Sequence, residues 1–248
     1  MKRVLVVTGG SRGIGAATAR LAALQGYAVC IGYLGRREAA QSLVDEILRG
    51  GGAASAIAAD VASEPDVVRL FAQVDASLGP VTALVNSAGM LERQMRVEQM
   101  DAARWTRVLA VNVVGTFLCA REAIRRMSTR HGGRGGGIVN VSSAASRLGS
   151  PDEFVDYAAS KGAVDSLTIG LAKEVAAEGI RVNAVRPGLI YTDIHAEAGE
   201  PGRVERLKSA VPMKRGGGAE EVARAILWLL SDDASYITGT LVDVTGGR

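Results

Sequence analysis

Tyr157 and Lys161 form the pair in this sequence best suited to acid–base chemistry. On a helix, side chains four residues apart point the same way, one turn above the other. A nearby ammonium group favours the ionised phenol, so the pair predicts a tyrosine pKa lowered from about 10 toward neutrality. Such a tyrosine can donate and accept a proton at cellular pH. The pattern is short, however, and on its own evidence an ordinary helix with a polar face is the better interpretation.

A glycine-rich segment, Thr8-Gly9-Gly10-Ser11-Arg12-Gly13-Ile14-Gly15, follows the first apolar run and opens a helical pattern. Glycines at such a turn let the backbone approach a pyrophosphate, whose charge the N-terminus of the next helix meets. The spacing departs from the dinucleotide fingerprint Gly-x-Gly-x-x-Gly. Its place between a strand and a helix still indicates a nucleotide site.

Short β-branched apolar runs alternate with longer amphipathic segments along the whole chain, without an internal boundary or repeat. The predicted strands are 4–7, 28–33, 53–59, 83–85, 137–141, 180–185 and 240–244. The predicted helices are 13–25, 37–48, 64–78, 101–128, 154–178 and 219–230. Strands that are apolar on both faces indicate an α/β fold with a parallel sheet covered on each side. We expect residues 1–248 to form a single domain.

The composition is that of an ordinary globular protein, with 248 residues of which 48% are hydrophobic and 22% charged. The net charge is only +3 and the basic residues are scattered, which argues against a nucleic-acid surface. Cys30 and Cys119 lie in apolar contexts without metal-ligand spacing, so we expect buried free thiols in a reducing compartment and no metal site. No apolar run is long enough for a signal peptide or a membrane span, and we expect a cytoplasmic protein.

Six motifs in this chain resemble those of the short-chain dehydrogenase/reductase family, in order and at the usual distances. They are Thr8-Gly9-x-x-x-Gly13-x-Gly15, Asn86-Ser87-Ala88-Gly89, Asn112, Ser143, Tyr157-x-x-x-Lys161 and Pro187-Gly188. The resemblance covers essentially the whole chain and implies a Rossmann fold with the doubly wound sheet order 3-2-1-4-5-6-7. One departure is that the family commonly has two asparagines where this chain has Asn86-Ser87. Small bacterial 3-oxoacyl-carrier-protein reductases and sugar dehydrogenases are the members it resembles most.

The resemblance implies a catalytic set of Asn112, Ser143, Tyr157 and Lys161. Tyr157 exchanges a proton with the substrate oxygen, Ser143 polarises the carbonyl, and Lys161 lowers the tyrosine pKa and holds the nicotinamide ribose. Ser142 is the rival of Ser143, although the second serine of such a pair usually has this role. Asn112 binds a water that links the lysine to solvent in the family. The alternative for Asn112 is a core amide that is satisfied by backbone groups.

The choice of cofactor depends on the end of the second strand, where an NAD enzyme usually has an acidic residue. This chain has no acid there and instead has Arg36 and Arg37, with Arg12 in the same corner. Cations near a helix start are disfavoured unless an anion offsets them, so NADP(H) is favoured through its 2′-phosphate, and NAD(H) is possible. The alternative is that these arginines are solvated surface residues.

Other nucleotide contacts follow from the same resemblance. Ser63 with Asp66 makes the better cap for the third helix, which leaves Asp60 free to meet the adenine. The full set expected around the nucleotide is Gly9, Ser11, Arg12, Gly13, Ile14, Gly15, Tyr33, Arg36, Arg37, Asp60, Val61, Asn86, Ala88, Gly89, Tyr157, Lys161, Pro187, Gly188, Ile190 and Thr192.

Residues 193–215 combine glycines, two prolines and many charges, as a mobile substrate lid would. His195 within it is interpreted as a residue touching substrate or solvent, because Tyr157 already fills the catalytic role. Asp152, Glu153 and Phe154 are expected on the opposite rim. The substrate is expected to be a small carbonyl or alcohol compound of a class that the sequence does not identify.

The helix that carries Tyr157 also predicts self-association. Val164, Leu167, Leu171 and Val175 form a stripe expected to pack on the sheet. Small residues at four-residue intervals, Gly162, Ser166 and Gly170, would let a second helix approach, which predicts a homodimer or homotetramer through residues 154–178.

Taken together, these features predict an NADP-dependent oxidoreductase that moves hydride between nicotinamide and a carbonyl or secondary alcohol. An NAD-dependent sugar dehydrogenase, and a lyase or epimerase that uses the same site, are alternatives among enzymes. A cofactor-sensing binding protein without turnover is the alternative from another class.

Overall fold

The computed structural model describes residues 3–248 and contains one seven-stranded, all-parallel sheet. The strands are β1 Arg3–Thr8, β2 Tyr27–Tyr33, β3 Ala53–Ala58, β4 Ala83–Asn86, β5 Gly136–Val141, β6 Ile180–Pro187 and β7 Leu241–Val244. Their order is β3-β2-β1-β4-β5-β6-β7, which confirms the doubly wound Rossmann arrangement. The predicted strands all form, with ends shifted by one or two residues.

Helices cover both faces of this sheet. They are α1 Gly13–Leu24, α2 Arg37–Arg49, α3 Glu64–Ser77, α4 Ala102–Leu109, α5 Gly115–Met127, α6 Ala145–Leu148, α7 Val155–Val175, α8 Ile194–Glu197, α9 Arg203–Leu207 and α10 Ala219–Leu230. Short 3₁₀ turns lie at Val97–Gln99, Thr129–His131, Ala176–Glu178, Lys208–Ala210 and Asp232–Ala234.

Alternate residues of each strand enter two separate hydrophobic cores. Along β1, Val4 and Val6 pack with α3, α5 and the end of α7 on one face. Leu5 and Val7 pack with α1, α2 and α10 on the other. Because both faces are buried, every second position must be apolar on each side, which explains the continuous apolar runs in the sequence. Cys30 and Cys119 are buried free thiols, as expected.

The segment predicted as one helix over 101–128 is interrupted in the middle. A π-helical turn, Ala110–Val114, separates α4 from α5 and carries the buried Asn112. The extra residue of a π turn rotates the helix faces on its two sides, and such turns are frequent at functional sites. Apolar periodicity alone does not reveal it, because the flanking helices keep their 3.6-residue pattern.

The stripe of α7 that faces the sheet agrees only in part with the predicted one. Val164 and Val175 are buried and Leu171 packs against the core, but Leu167 is only half-buried. Thr168 and Ala172 are also buried on this face. Apolar residues alone do not predict these two positions, where a small alanine and a hydrogen-bonded threonine are buried.

The predicted cap of α3 is also wrong in detail. Ser63 precedes the helix, but its side chain accepts no hydrogen bond from the first turn. Asp66 Oδ2 accepts from the Asp60 amide at 3.0 Å instead, and Asp60 Oδ1 accepts from the Ala62 amide at 2.9 Å. Asp60 thus shapes this turn with one carboxylate oxygen rather than lying free of it.

Within residues 3–248, no helix is both long and apolar enough to cross a bilayer.

Candidate active site

A cleft of about 510 Å³ opens at the carboxyl ends of β1, β4, β5 and β6. In a parallel doubly wound sheet this edge, where the strand order reverses, is the usual ligand site. The start of α7 forms one wall, and the segment after β6, which leads into α8 and α9, covers the cleft from above.

The glycine turn after β1 is shaped by close backbone approaches. Gly9 adopts a φ of 62°, and a Cβ there would lie 2.8 Å from Ala88 Cα. A Cβ on Gly15 would lie 2.4 Å from Gly9 O, so neither position has room for a side chain. Gly13, at a φ of 50°, faces the methyl group of Thr192. The turn therefore presents bare backbone to the cleft at the N-terminus of α1, as a pyrophosphate requires.

Thr8, which sequence reasoning did not assign to the site, ties this turn to the end of β4. Its hydroxyl oxygen accepts from the amides of Ser87 and Ala88 at 3.2 and 3.1 Å. Ser87, Ala88 and Gly89 consequently line the cleft. The signal was present in the sequence as a polar residue ending an apolar strand.

Ser143 and Tyr157 lie close enough for the Ser143 side chain to affect the pKa of the phenol. Both line the cleft, Ser143 just beyond the end of β5 and Tyr157 in the first turn of α7. Burial raises the pKa of Tyr157 to about 12, and the interaction with the Ser143 side chain offsets only part of that effect. The predicted lowering toward neutrality is therefore wrong for this structure, because burial of the phenol has the largest effect on its pKa.

Lys161 lies one helical turn further along α7 and is 4% exposed. Its Nζ donates to Val141 O at 2.8 Å and lies 5.5 Å from the centre of the Tyr157 ring. Burial lowers the pKa of Lys161 to about 8, against the opposing charge of Asp165. The ammonium is thus held at the end of β5 beside the ring of Tyr157.

Ser142 also lines the cleft, but its hydroxyl is engaged by the backbone. It is 2% exposed, and its hydroxyl donates to the backbone carbonyl of Lys161 at 3.2 Å. Ser142 thus joins β5 to α7, whereas Ser143 is the serine that affects the pKa of Tyr157.

The oxygen and both N–H groups of the Asn112 side-chain amide form hydrogen bonds with other protein groups. Its Oδ1 accepts from the Met90 amide at 2.8 Å, and its Nδ2 donates to Met90 O at 3.1 Å and to Ser160 Oγ at 3.0 Å. These bonds link the segment after β4 to α7 behind Tyr157. Asn112 does not line the cleft wall formed by the described residues.

Asn86 also lies beneath the cleft rather than in its wall. It is 3% exposed, and its Nδ2 donates to Asn140 Oδ1 at 2.9 Å, while Asn140 Nδ2 donates to Thr168 Oγ1 at 2.9 Å. This ladder connects β4, β5 and α7. The expected contact between Asn86 and a nucleotide is not supported by this placement, because the side chain is turned into the protein.

Two of the three arginines expected near the adenosine are brought together. Arg12 and Arg36 both bind one carboxylate oxygen of Glu197, at the end of α8. Arg37 is exposed at the first position of α2, where residues 3–248 provide it with no hydrogen bond or ion pair. The corner at the end of β2 therefore binds an anionic oxygen, and no acidic side chain follows the strand there.

The segment 193–215 contains α8 and α9, and Arg203 joins it to the opposite rim of the cleft. This arginine is 7% exposed, binds Glu153 and Glu200, and stacks 5.0 Å from the centre of the Phe154 ring. His195 lines the cleft, and burial together with the charge of Arg203 lowers its pKa. Glu153 and Phe154 line the cleft as predicted, whereas Asp152, predicted on the same rim, does not and is paired with Arg96.

The expected nucleotide residues divide into two groups. Those that line the cleft are Gly9, Arg12, Gly13, Ile14, Ala88, Gly89, Tyr157, Lys161, Pro187, Gly188, Ile190 and Thr192. Those outside its wall are Ser11, Gly15, Tyr33, Arg36, Arg37, Asp60, Val61 and Asn86. Val61 is buried in the core, where a Cβ on Gly115 would lie 2.7 Å from it.

Arg248, which sequence reasoning missed, also lines the cleft, and its carbonyl accepts from Arg147 at 2.9 Å.

Many known proteins are similar to this chain in sequence and in structure. Residues 9–248 match the family model described as enoyl-(acyl carrier protein) reductase. The chain is 58% identical over 245 residues to the uncharacterized oxidoreductase YgfF of Escherichia coli K12, with 99% of both chains covered.

Two further relatives have names that state an activity. A 3beta-hydroxysteroid dehydrogenase 1 of Eggerthella lenta is 41% identical, covering 99% of this chain and 93% of the relative. A 3-oxoacyl-[acyl-carrier-protein] reductase FabG of Staphylococcus aureus is 36% identical, covering 100% and 98%. The crystal structure of a dehydrogenase/reductase from Sinorhizobium meliloti 1021 superposes with a TM-score of 0.91 at 33% identity, covering 99% of this chain and 94% of that one.

Proposed function

Because the chain belongs to the short-chain dehydrogenase/reductase family, and because relatives such as the 3beta-hydroxysteroid dehydrogenase act on CH–OH groups, we propose that it is an NADP(H)-dependent oxidoreductase with Tyr157 as its general acid and base. Its substrate is a small carbonyl compound or the corresponding secondary alcohol. The observation that carries this proposal is the presence of Ser143, Tyr157 and Lys161 in the wall of one cleft, with Lys161 Nζ 5.5 Å from the centre of the Tyr157 ring.

The residues present fit a nicotinamide nucleotide. The turn from Gly9 to Gly13 offers side-chain-free backbone at a helix N-terminus, and Arg12 with Arg36 already shares an anionic oxygen. When bound, the nicotinamide supplies or accepts a hydride. Thr192, which faces Gly13, is proposed to contact the phosphates.

In the reducing direction, Tyr157 gives its proton to the substrate oxygen as that oxygen becomes an alkoxide. A phenol with a pKa near 12 holds this proton throughout the neutral range, which suits a donor. Ser143 donates a hydrogen bond to the same oxygen and stabilises the charge that develops on it. Lys161, whose ammonium lies 5.5 Å from the tyrosine ring centre, stabilises the phenolate left behind. In the oxidising direction, Tyr157 must first lose its proton.

A preference for NADP(H) over NAD(H) is supported by the charges around the adenosine corner. An NAD site usually has a carboxylate after the second strand to accept ribose hydroxyls, and here Leu34 and Gly35 follow Tyr33. Arg12 and Arg36 converge on one point and form a site for a 2′-phosphate. Steady-state kinetics with both nucleotides test this: kcat/KM is expected to be higher with NADPH, and Arg12→Ala with Arg36→Ala should remove most of the difference. Equal or better kcat/KM with NADH in the unmodified enzyme would refute the preference.

A screen of ketones, sugars and acyl thioesters, followed by NADPH absorbance, tests the reaction class. Consumption of NADPH with any of these classes supports an oxidoreductase. Substrate conversion without net consumption of cofactor would instead indicate a lyase or epimerase, and tight nucleotide binding without conversion a sensor. The Ser143–Tyr157–Lys161 arrangement favours turnover, because a sensor does not need a proton donor in the cleft.

Self-association through α7 is a further part of the proposal. Ser166 and Gly170 are exposed, Gly162 is half-buried, and a Cβ on either glycine would meet nothing within 4 Å. The outer face of this helix is therefore open to a second copy in a homodimer or homotetramer.

The buried free thiols agree with a reducing, cytoplasmic location.

A further inference from the structure

Glu197, at the end of α8, occupies the point where two arginines converge. Its Oε1 accepts from Arg36 Nη2 at 2.7 Å and from Arg12 Nη1 in closer contact. The three residues come from the glycine turn, the start of α2 and the lid. One carboxylate oxygen is thus shared by two guanidinium groups from distant parts of the chain.

This contact differs from the ion pairs formed by α9 and the residue after it. Arg203, Arg206 and Lys208 pair with carboxylates of residues 193–215 or with Glu153 on the rim. Glu197 instead pairs with the glycine turn and with the residue before α2, and Arg12 of that turn forms part of the cleft wall. Although burial alone favours the neutral carboxyl, hydrogen bonds from Arg12 and Arg36 lower the pKa of Glu197, so it is anionic at neutral pH.

A carboxylate and a phosphate present the same kind of anionic oxygen to a guanidinium group, and both form charge-assisted hydrogen bonds with it. Two anions placed at one pair of arginines exclude each other. We propose that Glu197 is a specificity-determining residue that acts as an internal competitor for the 2′-phosphate of the nucleotide. This inference rests on the proposed function, which assigns Arg12 and Arg36 to that phosphate.

Two consequences follow for the molecule. A nucleotide with a 2′-phosphate must displace Glu197 and release the end of α8, whereas one without this phosphate leaves the contact in place. The preference for a 2′-phosphate is therefore smaller in the unmodified protein than the two arginines alone would give. Because the pairs are 29–50% exposed, the competition amounts to a moderate factor, roughly threefold to tenfold in affinity.

Calorimetric titration of the full chain with adenosine 2′,5′-diphosphate and with adenosine 5′-monophosphate tests this. These probes differ only in the 2′-phosphate. Glu197→Gln removes the charge at nearly constant volume. Glu205→Gln is the matched control, because Glu205 is also a lid carboxylate but pairs with Tyr191 and Lys208 rather than with the two arginines. Thermal unfolding of each variant verifies that it is folded.

The expected result is that Glu197→Gln binds adenosine 2′,5′-diphosphate roughly threefold to tenfold more tightly, with unchanged affinity for the monophosphate. Glu205→Gln should change neither value. A Glu197→Gln variant that binds both probes as the unmodified protein does, while that protein still prefers the 2′-phosphate, would overturn the role of Glu197 and leave the NADP(H) proposal intact. If neither protein prefers the 2′-phosphate, both proposals fail; equal tightening for both probes would mean that Glu197 only obstructs the groove.

Discussion

Lys161 Nζ donates a hydrogen bond to the Val141 carbonyl oxygen at 2.8 Å, which joins the end of β5 to α7 beside the ring of Tyr157. A second hydrogen bond lies next to it, since the Ser142 hydroxyl donates to the Lys161 carbonyl at 3.2 Å. Two hydrogen bonds between one strand end and one helix thus fix the position of Lys161 relative to the sheet.

Replacement of Ser143 and replacement of Ser142 are expected to have different effects. Ser143→Ala is expected to lower kcat by about 10²- to 10³-fold, because a hydrogen-bond donor to the reacting oxygen is lost. Ser142→Ala should instead lower the free energy of unfolding by about 1 kcal/mol through loss of a buried hydrogen bond. Steady-state kinetics and urea unfolding of both variants measure these effects. The reverse pattern, with the larger kinetic effect at Ser142, would transfer the role to that residue.

Tyr157→Phe removes the proton donor and keeps the ring. Turnover is expected to fall by at least about 10²- to 10⁴-fold, the usual contribution of general acid–base catalysis. Nucleotide affinity should stay within about twofold, because the glycine turn and the arginines do not contact this hydroxyl. Kinetics and nucleotide titration of the same preparation provide the measurement. A fully active variant would show that another group moves the proton.

The buried ammonium of Lys161 makes stability depend on pH. Its pKa is about 8 in the folded protein, lowered by burial from 10.5, so between these values the unfolded chain binds more protons. The free energy of unfolding should therefore rise with pH across this window, by up to about 3 kcal/mol. Tyr157, whose pKa is raised, acts in the opposite direction only above about pH 10.

Urea unfolding at about pH 7 and about pH 10 checks this in the unmodified protein and in Lys161→Met. The gain attributable to Lys161 is the difference between the two proteins, since other titrating groups are common to both. Identical pH dependence in the two would mean that the lysine is not desolvated in the folded state.

A buried ion pair supports the start of α7. Arg104 Nε donates to Asp156 Oδ2 at 2.6 Å, and the two side chains are 5% and 1% exposed. Arg104→Met should lower the free energy of unfolding by about 3–5 kcal/mol, because Asp156 is left as an uncompensated buried charge. Addition of Asp156→Asn should restore part of the loss and keep the acceptor for the Tyr157 amide. Urea unfolding of the single and double variants measures this coupling; additive losses would show that the pair is independent.

A bulky residue at position 170 tests the association of two copies. Gly170 is exposed and a Cβ there meets nothing within 4 Å in the chain, so Gly170→Trp should leave the isolated fold intact. At an interface between two α7 helices, the same indole would prevent close approach. Light scattering is expected to show a dimer or tetramer for the unmodified protein and a smaller species for the variant. Leu24→Trp, on an exposed end of α1, is the control that should not change the mass.

Much of the fold follows from local patterns in the sequence. The seven apolar runs became the seven strands because both faces of a parallel sheet are buried, which forces nearly every residue of a strand to be apolar. The glycine turn can be predicted because positions without room for a side chain require glycine. Each glycine in the sequence is therefore a local signal of such a position. The motifs around Ser143, Tyr157 and Lys161 likewise indicated a single cleft at one sheet edge.

Other features depend on contacts between distant residues, which no local pattern records. The raised pKa of Tyr157 arises from burial of its phenol by segments that are distant in sequence, and the sequence pair with Lys161 predicts the opposite direction. The pairing of Arg104 with Asp156, and that of Arg12 and Arg36 with Glu197, join segments brought together only by folding.

The sequence by itself determined the order of the elements and the residue types that meet at the strand ends, because periodicity and turn chemistry are local properties. Only the tertiary structure decided that Asn86 and Asn112 are held beneath the cleft, and which carboxylate faces the arginines. These outcomes depend on burial and on distances of a few ångströms between elements, and electrostatic and hydrogen-bond energies vary steeply over such distances.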